Sequence, residues 1–473
     1  MSKVEQNMPP VKLFHTMESQ KSFAELSGDF NPVHLDPVQA RRTMFGQVVV
    51  HGVHNVMCAL ESFLNNRPYR IERLAVSFKN PAYLNEEVTV TTSTSDHQAA
   101  LLTLLCKDTV VAEIRLRGKT LEAVTGTILL EPSPFPRQAE NKTWRRLEEA
   151  QGSIKLMGEE TALSRAFPNC IKSLGIDGAA RLLGLTRLVG MHCPGLHSLF
   201  SGFDITFSAE RSSEATRYRT IRADERISLL TIAVEGGGMK GTVSAFRRPI
   251  PVEQPNMESI RKYVKGAPFK GQRALIIGGS RGLGEVSAKI IAAGGGDVAV
   301  SYLTGKEDAQ RVADDISRFA GPCQILQIDV SKPADRIDSL CKSGWVPSHL
   351  LYFATPRISS RKSDTEKDNF REIYSEGLKN VITALRKCSL EPLKLFYPSS
   401  IFVADPPADL TDYAAAKADG ENTVNDLAKS DPGLSVTIER LPPLATDQTA
   451  SLLNVAVDDS LETMARVLGK ALC

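Results

Sequence analysis

The chain has eight cysteines but no pair at C-x-x-C spacing. Thiols scattered in this way argue against a zinc site and suit a reducing compartment, so no metal centre and a cytoplasmic location are expected. No apolar run approaches the ~20 residues that a membrane-spanning helix needs. The opening MSKVEQNMPP is polar and lacks the apolar segment of a secretory signal. An excess of one charge is missing too. The 57 basic and 55 acidic residues leave a net +2, and they are well mixed, which gives no footprint for nucleic acid or a membrane surface. Against these absences stand 473 residues, 42% of them hydrophobic, a length that suits about three globular domains.

The residues that can carry chemistry gather first in FAELSGDFNPVHLDPVQA, Phe23 to Ala40. Gly28 before Asp29, with Asn31-Pro32 after it, predicts a sharply turning loop on which His34 swings back to share one site with the carboxylate. A carboxylate and an imidazole so placed suit general acid/base work on water. Alone, D-x-N-P-x-H would read as an Asx turn beside a buried, hydrogen-bonded histidine. The longer string resembles the motif of the MaoC-like, or (R)-specific enoyl thioester hydratase, family: an aromatic, Leu, Ser-Gly-Asp, any residue, Asn-Pro, an aliphatic and His. That resemblance implies a hot-dog fold, in which a curved antiparallel sheet wraps a long central helix, and a 2-enoyl or 3-hydroxyacyl thioester as substrate. It implies catalytic roles for Asp29 and His34 and a substrate contact for Asn31. His51-Gly52 opens the apolar stretch Val53 to Leu64, read as the central helix. The Gly52 amide at that helix N-terminus is the expected receiver of the thioester oxyanion. Phe78-Lys79-Asn80-Pro81-Ala82-Tyr83 precedes the alternating Val88-Thr89-Val90-Thr91, a turn and then a strand. His54, one helical turn from His51, is read as packing.

Punctuation divides the chain into three segments. Prolines cluster from Glu131 through Ser133 to Pro136, and a second boundary lies within Arg247 to Lys270, where RRPIPVEQPN is proline-rich. The expected domains are residues 1–130, 140–250 and 268–473. The middle segment lacks the motif but repeats the order of elements. A helical pattern runs from Ala162 to Leu188, Pro194-Gly195 turns, Phe203, Ile205 and Phe207 alternate, and ISLLTIAVEG and GTVSAFRR follow as strands. It resembles the degenerate second half of a double hot dog that shapes an acyl tunnel. His197 and Ser198, with no carboxylate nearby in sequence, are read as structural or substrate-lining.

The last segment opens with ALIIGGSRGLGEVSAKIIAAGG. An apolar strand, Ala274 to Ile277, runs into Gly278, Ser280, Arg281, Gly282, Leu283 and Gly284 and then into a helix, an arrangement in which glycines let backbone approach a pyrophosphate at a helix N-terminus. GGSRGLG matches the short-chain dehydrogenase/reductase version of this fingerprint. The next strand, DVAVSY, ends at Ser301-Tyr302 with no acidic residue for a ribose 2′-hydroxyl, while Arg281 and Lys306 supply positive charge for a 2′-phosphate. NADP(H) is therefore favoured over NAD. The same resemblance gives Asp329 an adenine contact and Thr446 a nicotinamide contact. Ser400 lies thirteen residues before Tyr413, and Tyr413 and Lys417, four apart, share a helix face. That is the family's catalytic trio. Tyr413 would pass the proton with its acidity raised by the Lys417 ammonium, and Ser400 would hold the substrate oxygen. Three positions depart from the pattern. Gly377 stands where the family has a catalytic asparagine, Phe353-Ala354-Thr355-Pro356 replaces Asn-Asn-Ala-Gly, and no Pro-Gly precedes Thr446.

The expected architecture is thus an α+β double hot dog followed by an α/β Rossmann-type doubly wound parallel sheet. The two implied reactions are consecutive, since a hydratase makes the 3-hydroxyacyl thioester that a dehydrogenase of this kind interconverts with the 3-oxoacyl thioester. A bifunctional enzyme is the leading reading. The departures keep open a hydratase whose C-terminal region only binds nucleotide, and an acyl-binding partner of a synthase remains the non-enzymatic alternative. The thioester handle, coenzyme A or acyl carrier protein, would meet Arg41, Arg42, Arg73 and Lys79 near the entrance. A homodimer is the expected assembly.

Overall fold

The computed structural model describes residues 9–94, 98–120, 130–132, 134–209, 212–356, 358, 364–449 and 457–472. Ser133 of the proline cluster and the first eight residues of the N-terminal decapeptide lie outside these. The chain forms two compact units that divide between Ile250 and Pro251.

The first unit contains one ten-stranded sheet. Its strands are β1 (Val11–Phe14), β2 (Tyr69–Phe78), β3 (Glu87–Thr94), β4 (Ala99–Cys106), β5 (Thr109–Thr120), β6 (Gln151–Ile154), β7 (Ser198–Phe207), β8 (Thr216–Asp224), β9 (Leu229–Gly236) and β10 (Met239–Arg247). Alternation of buried and partly buried side chains, most regular in AALLTLLC of β4, fits strands with one face on a core. The spatial order is β1-β3-β4-β5-β2-β7-β10-β9-β8-β6. Read inward from its two edges, this sheet repeats one pattern twice: 1-3-4-5-2 becomes 6-8-9-10-7. The seam is the antiparallel pairing of β2 with β7, from Arg73 opposite Thr206 to Ser77 opposite Gly202.

Each half wraps a helix. In the first, Gly52–Leu64 is apolar on most of its surface and nine of its thirteen residues are buried, as a helix enclosed by a sheet must be. In the second, Pro168–Arg187 takes the same place and runs on into a π-helical turn, Leu188–His192. The two helices pack together, and the Glu61 carboxylate accepts from the amides of Asn169 and Cys170 at the start of the second, which complements that helix's positive end. One continuous core, from Phe23 through Leu60 and Ile114 to Leu182 and Val243, crosses the proline cluster at 131–136. That cluster connects two halves of one core and separates nothing.

Among the described residues the second unit holds a six-stranded parallel sheet of β11 (Arg273–Ile277), β12 (Asp297–Tyr302), β13 (Gln324–Gln327), β14 (His349–Tyr352), β15 (Leu393–Ser400) and β16 (Leu434–Leu441). Its order, β13-β12-β11-β14-β15-β16, reverses direction between β11 and β14. Helices cover both faces, with one core around Ile276, Ile290 and Leu468 and another around Leu275, Ile382 and Val424. This is a doubly wound Rossmann-type sheet, whose ligand crevice lies at the strand ends where the order reverses.

Candidate active sites

The helix Met17–Ser27 ends because Gly28 adopts the left-handed conformation (φ 75°), and a side chain there would strike Phe135. The chain then turns through Asp29 and Phe30 to Asn31, whose side chain accepts from the Val33 amide at the start of the short helix Pro32–Leu35. Asp29 is 1% exposed. Its Oδ1 accepts from the Asn31 amide at 3.1 Å and its Oδ2 from the Thr186 hydroxyl at 2.7 Å. His34 Nδ1 lies 2.8 Å from the Val49 carbonyl, and His51 Nε2 lies 3.0 Å from the Asp29 carbonyl. Each carbonyl can only accept, so Nδ1 of neutral His34 carries the proton and its Nε2 is left as a base. The two rings stack with centroids 3.9 Å apart, and one ligating atom from each of Asp29, His34 and His51 lies within 4.8 Å of the others.

Burial sets the protonation of this cluster. It pushes the Asp29 carboxyl up, with His34, Thr186 and the Asn31 amide opposing it. It pushes His34 down against the pull of Asp29 and the Val49 carbonyl, and His51 further down, helped by His34. An acid that holds its proton more tightly and a base that holds it less tightly converge in affinity, the condition for passing protons near neutrality. Gly52 begins the central helix, no side chain caps that helix start, and a Cβ at Gly52 would collide with the Phe78 ring. A helix N-terminus left uncapped beside the cluster offers amide donors to an oxyanion.

Asn31 corrects the sequence reading. It is fully buried, and its Nδ2 donates to the carbonyls of Gly190 (2.8 Å) and Gly195 (3.1 Å) while its Oδ1 accepts from Val33. With both ends of the amide engaged, it fastens the loop to the second half of the sheet rather than meeting substrate. Thr186, Arg187, Gly190 and Met191 escaped sequence reasoning because they stand about 160 residues from the motif in a helix without one. Thr186 bonds Asp29, Met191 Sδ accepts from the Phe30 amide, and the Arg187 guanidinium donates to the Ser27 carbonyl. A Cβ at Gly190 would overlap the Asp29 carboxylate. Arg73, expected near an entrance, is instead paired with Asp204 across the seam, with Nη2 to Oδ2 at 2.6 Å. His54 packs as expected, stacked on Phe23 with Nδ1 2.9 Å from Gln20 Oε1.

In the second unit the glycine loop joins β11 to the helix Gly282–Ala293. Gly278 has φ 77° and Gly282 φ 57°, and a Cβ at Gly278 or Gly284 would collide with neighbouring backbone. No side chain caps this helix start either, so its amides remain for a phosphate. Ser280 is buried, Leu283 leans on the core, and Thr446 lies beside Gly282. Asp329 is exposed at the end of β13, where Oδ1 accepts from the amide and hydroxyl of Ser331. Lys306 is exposed at the start of its helix, whereas the Arg281 guanidinium already faces Asp447, Nη1 to Oδ2 at 3.4 Å. These residues fit a dinucleotide, with Arg281 sharing its charge between Asp447 and any added phosphate.

Ser400 ends β15, and Tyr413 and Lys417 lie on the helix Thr411–Ser430. Burial pushes the Tyr413 phenol up to about 12, with Ser400 pulling the other way, a shift opposite to the expected one. Burial also pushes Lys417 down to about 7. Its Nζ donates to the Pro398 carbonyl (2.8 Å) and rests over the rings of Tyr374 (4.2 Å) and Tyr397 (5.1 Å). At Gly377 a Cβ would meet Val330 at 2.7 Å and the Tyr352 hydroxyl at 2.9 Å, so an asparagine has no room. Tyr374, in the π-helical turn Glu372–Gly377, fills the neighbourhood instead, its hydroxyl 2.6 Å from Thr355 Oγ1.

Comparison with known proteins agrees with both halves of this description. Residues 4–112 match the family described as MaoC like domain. The chain is 37% identical over 91 residues to "(R)-specific enoyl-CoA hydratase" of Aeromonas caviae, covering 17% of this chain and 66% of that protein. It is 26% identical over 200 residues to "NADPH-dependent aldehyde reductase-like protein, chloroplastic" of Arabidopsis thaliana, covering 37% of this chain and 73% of that one. A solved short-chain dehydrogenase from Burkholderia cenocepacia J2315, in complex with NADP, aligns over 42% of this chain and 90% of its own at 23% identity, with a TM-score of 0.39. The chain is therefore an enzyme with a MaoC-like domain at its N-terminus and, over a separate stretch of about 200 residues, similarity to a reductase.

Proposed function

We propose that the chain hydrates 2-enoyl thioesters to (R)-3-hydroxyacyl thioesters, or runs that step in reverse, and interconverts the 3-hydroxyacyl and 3-oxoacyl thioesters with NADP(H). The observation that carries this reading is the buried Asp29 carboxyl converging on His34 beside the uncapped Gly52 helix. The repeated strand order supports reading residues 1–130 and 140–250 as two hot dogs, the second without a motif of its own. Residues 268–473 would form the reductase domain. The Gly52 amide would receive the thioester oxygen as the carbonyl draws charge, His34 Nε2 would take a proton from water, and Asp29 would deliver one to the α-carbon.

In the second unit the glycine loop from Gly278 to Gly284, with Asp329 and Thr446, would hold the dinucleotide. Relatives described as NADPH-dependent or solved with NADP support that choice. NADP(H), once bound, supplies or accepts the hydride. Ser400 would orient the substrate oxygen, Tyr413 would hold or release its proton, and Lys417 would grip the nicotinamide ribose. The thioester handle is coenzyme A or acyl carrier protein, and the working form is a homodimer in the cytoplasm.

Crotonyl-coenzyme A hydration and NADPH oxidation with acetoacetyl-coenzyme A test the two halves separately. Asp29→Asn is expected to lower hydration by about 10²–10⁴-fold and Tyr413→Phe to lower reduction by a similar factor. Hydration unchanged in Asp29→Asn removes the hydratase reading. The crowding at Gly377 favours a second reading, in which the C-terminal unit binds nucleotide without turnover. A wild-type reduction rate no higher than that of Tyr413→Phe, with NADPH still bound, selects it.

A further inference from the structure

Arg248 follows β10, is 4% exposed, and has only part of its guanidinium satisfied. Nη2 donates to the Leu196 carbonyl at 2.7 Å, while Nε and Nη1 are buried and meet no acceptor among the described residues. The Arg248 amide donates to the His197 carbonyl at 2.8 Å, and His197, 8% exposed, likewise has an Nδ1 with no partner among the described residues. The Leu196 carbonyl also accepts from Asn31 Nδ2 at 3.3 Å. Guanidinium and water-activating loop thus meet on a single oxygen. Arg248 is close enough to His34 to hold that imidazole down, and burial alone moves the guanidinium itself, with no carboxylate contributing.

A buried cation without a counter-ion is among the costliest groups a fold can hold. A transient oxyanion does not call for it, because the amide at Gly52 already faces that role and oriented dipoles suffice there. A permanent positive charge with two open donors, next to a ring with an open nitrogen, matches a ligand that is itself permanently anionic and flat. We propose that Arg248, with His197 beside it, binds a carboxylate carried on the acyl chain, so that this site takes 2-enoyl thioesters of dicarboxylic acids. The proposal rests on the hydratase reading of Asp29 and His34 and deepens it by naming the substrate class.

Glutaconyl-coenzyme A is crotonyl-coenzyme A with a carboxylate on the terminal carbon, so the pair isolates that group. With the full chain, kcat/KM for glutaconyl hydration is expected to exceed that for crotonyl about tenfold or more, chiefly through KM. Arg248→Met should lower the glutaconyl-to-crotonyl ratio about 100-fold, and Arg248→Lys should recover part of it. A ratio near one in the wild-type chain, or one unmoved by Arg248→Met, overturns the proposal. A second arm needs neither turnover nor a folded variant. Saturated glutaryl- and butyryl-coenzyme A are titrated into the wild-type chain by calorimetry, where tighter binding of glutaryl supports the carboxylate site and equal or weaker binding overturns it. Should neither enoyl thioester be hydrated, the hydratase reading falls, and the titration still decides the role of Arg248.

Discussion

Each of the Asp29–His34 and Tyr413–Lys417 pairs joins a buried group, Asp29 or Lys417, to a partly buried one, yet desolvation does opposite work in them. In the first it raises an acid and lowers a base, so their proton affinities approach each other. In the second it raises a phenol to about 12 and lowers an ammonium to about 7, so they draw apart. The same desolvation that readies one site leaves the other dependent on charge brought by a ligand. A protein can therefore keep a motif intact and still differ in how much of the site it finishes by itself.

Acid gives the largest expected contrast between the two units. Burial lowers His15, His34 and His51, takes His54 down to about 3 and takes His197 down to about 4, all in the first unit. In the second, only His349 among the described residues is so placed, at about 4. These rings stay neutral in the fold, whereas the unfolded chain takes up protons below about 6.5. Stability is thus lost as pH falls from about 6.5 and goes on falling until the folded values are reached. Asp29, raised in the fold, works in the opposite sense but is a single group. Circular dichroism and tryptophan fluorescence between pH 7 and 4 should show the first unit unfolding before the second. Simultaneous loss, or earlier loss of the second unit, would break the contrast.

A smaller effect separates the sites themselves. Gly190→Ala forces a methyl into the Asp29 carboxylate, and a displacement of about 1 Å at a reacting group costs on the order of 100-fold in rate. Hydration should fall by about that much while NADPH binding is unchanged. Smallest is Gly377→Asn, which restores the family residue in a space closed by Val330 and Tyr352. Overpacking of this kind costs about 1–3 kcal/mol, so a lower melting temperature for the second unit and no gain in reduction are expected. A gain in reduction would mean that the missing asparagine, and not its surroundings, limits the site.

How far the sequence could be read depended on where each partner lies along the chain. Asp29, His34 and the Gly52 helix start fall within about two dozen residues, and the glycine loop follows its strand directly, so each set lies in one local stretch that a family resemblance can name. The parallel sheet was legible for the same reason, as apolar strands alternate with helical patterns. Thr186 and Gly190 were not, because a hydroxyl and a missing side chain in an unremarkable helix acquire meaning only when the fold sets them against Asp29. Asn31 was misjudged since its amide is consumed by carbonyls of Gly190 and Gly195 that no local pattern reveals. The direction in which the Tyr413 phenol shifts was not legible, because helical spacing to Lys417 says nothing about how dry the surroundings are.

The seam between β2 and β7 has a consequence for stoichiometry. Two halves that repeat one strand order are joined in cis, and only one carries Asp29 and His34 while the other supplies Thr186 and Asn31's anchoring carbonyls. Both contributions lie on one polypeptide, so every chain holds one complete Asp29–His34 cluster whatever its state of association.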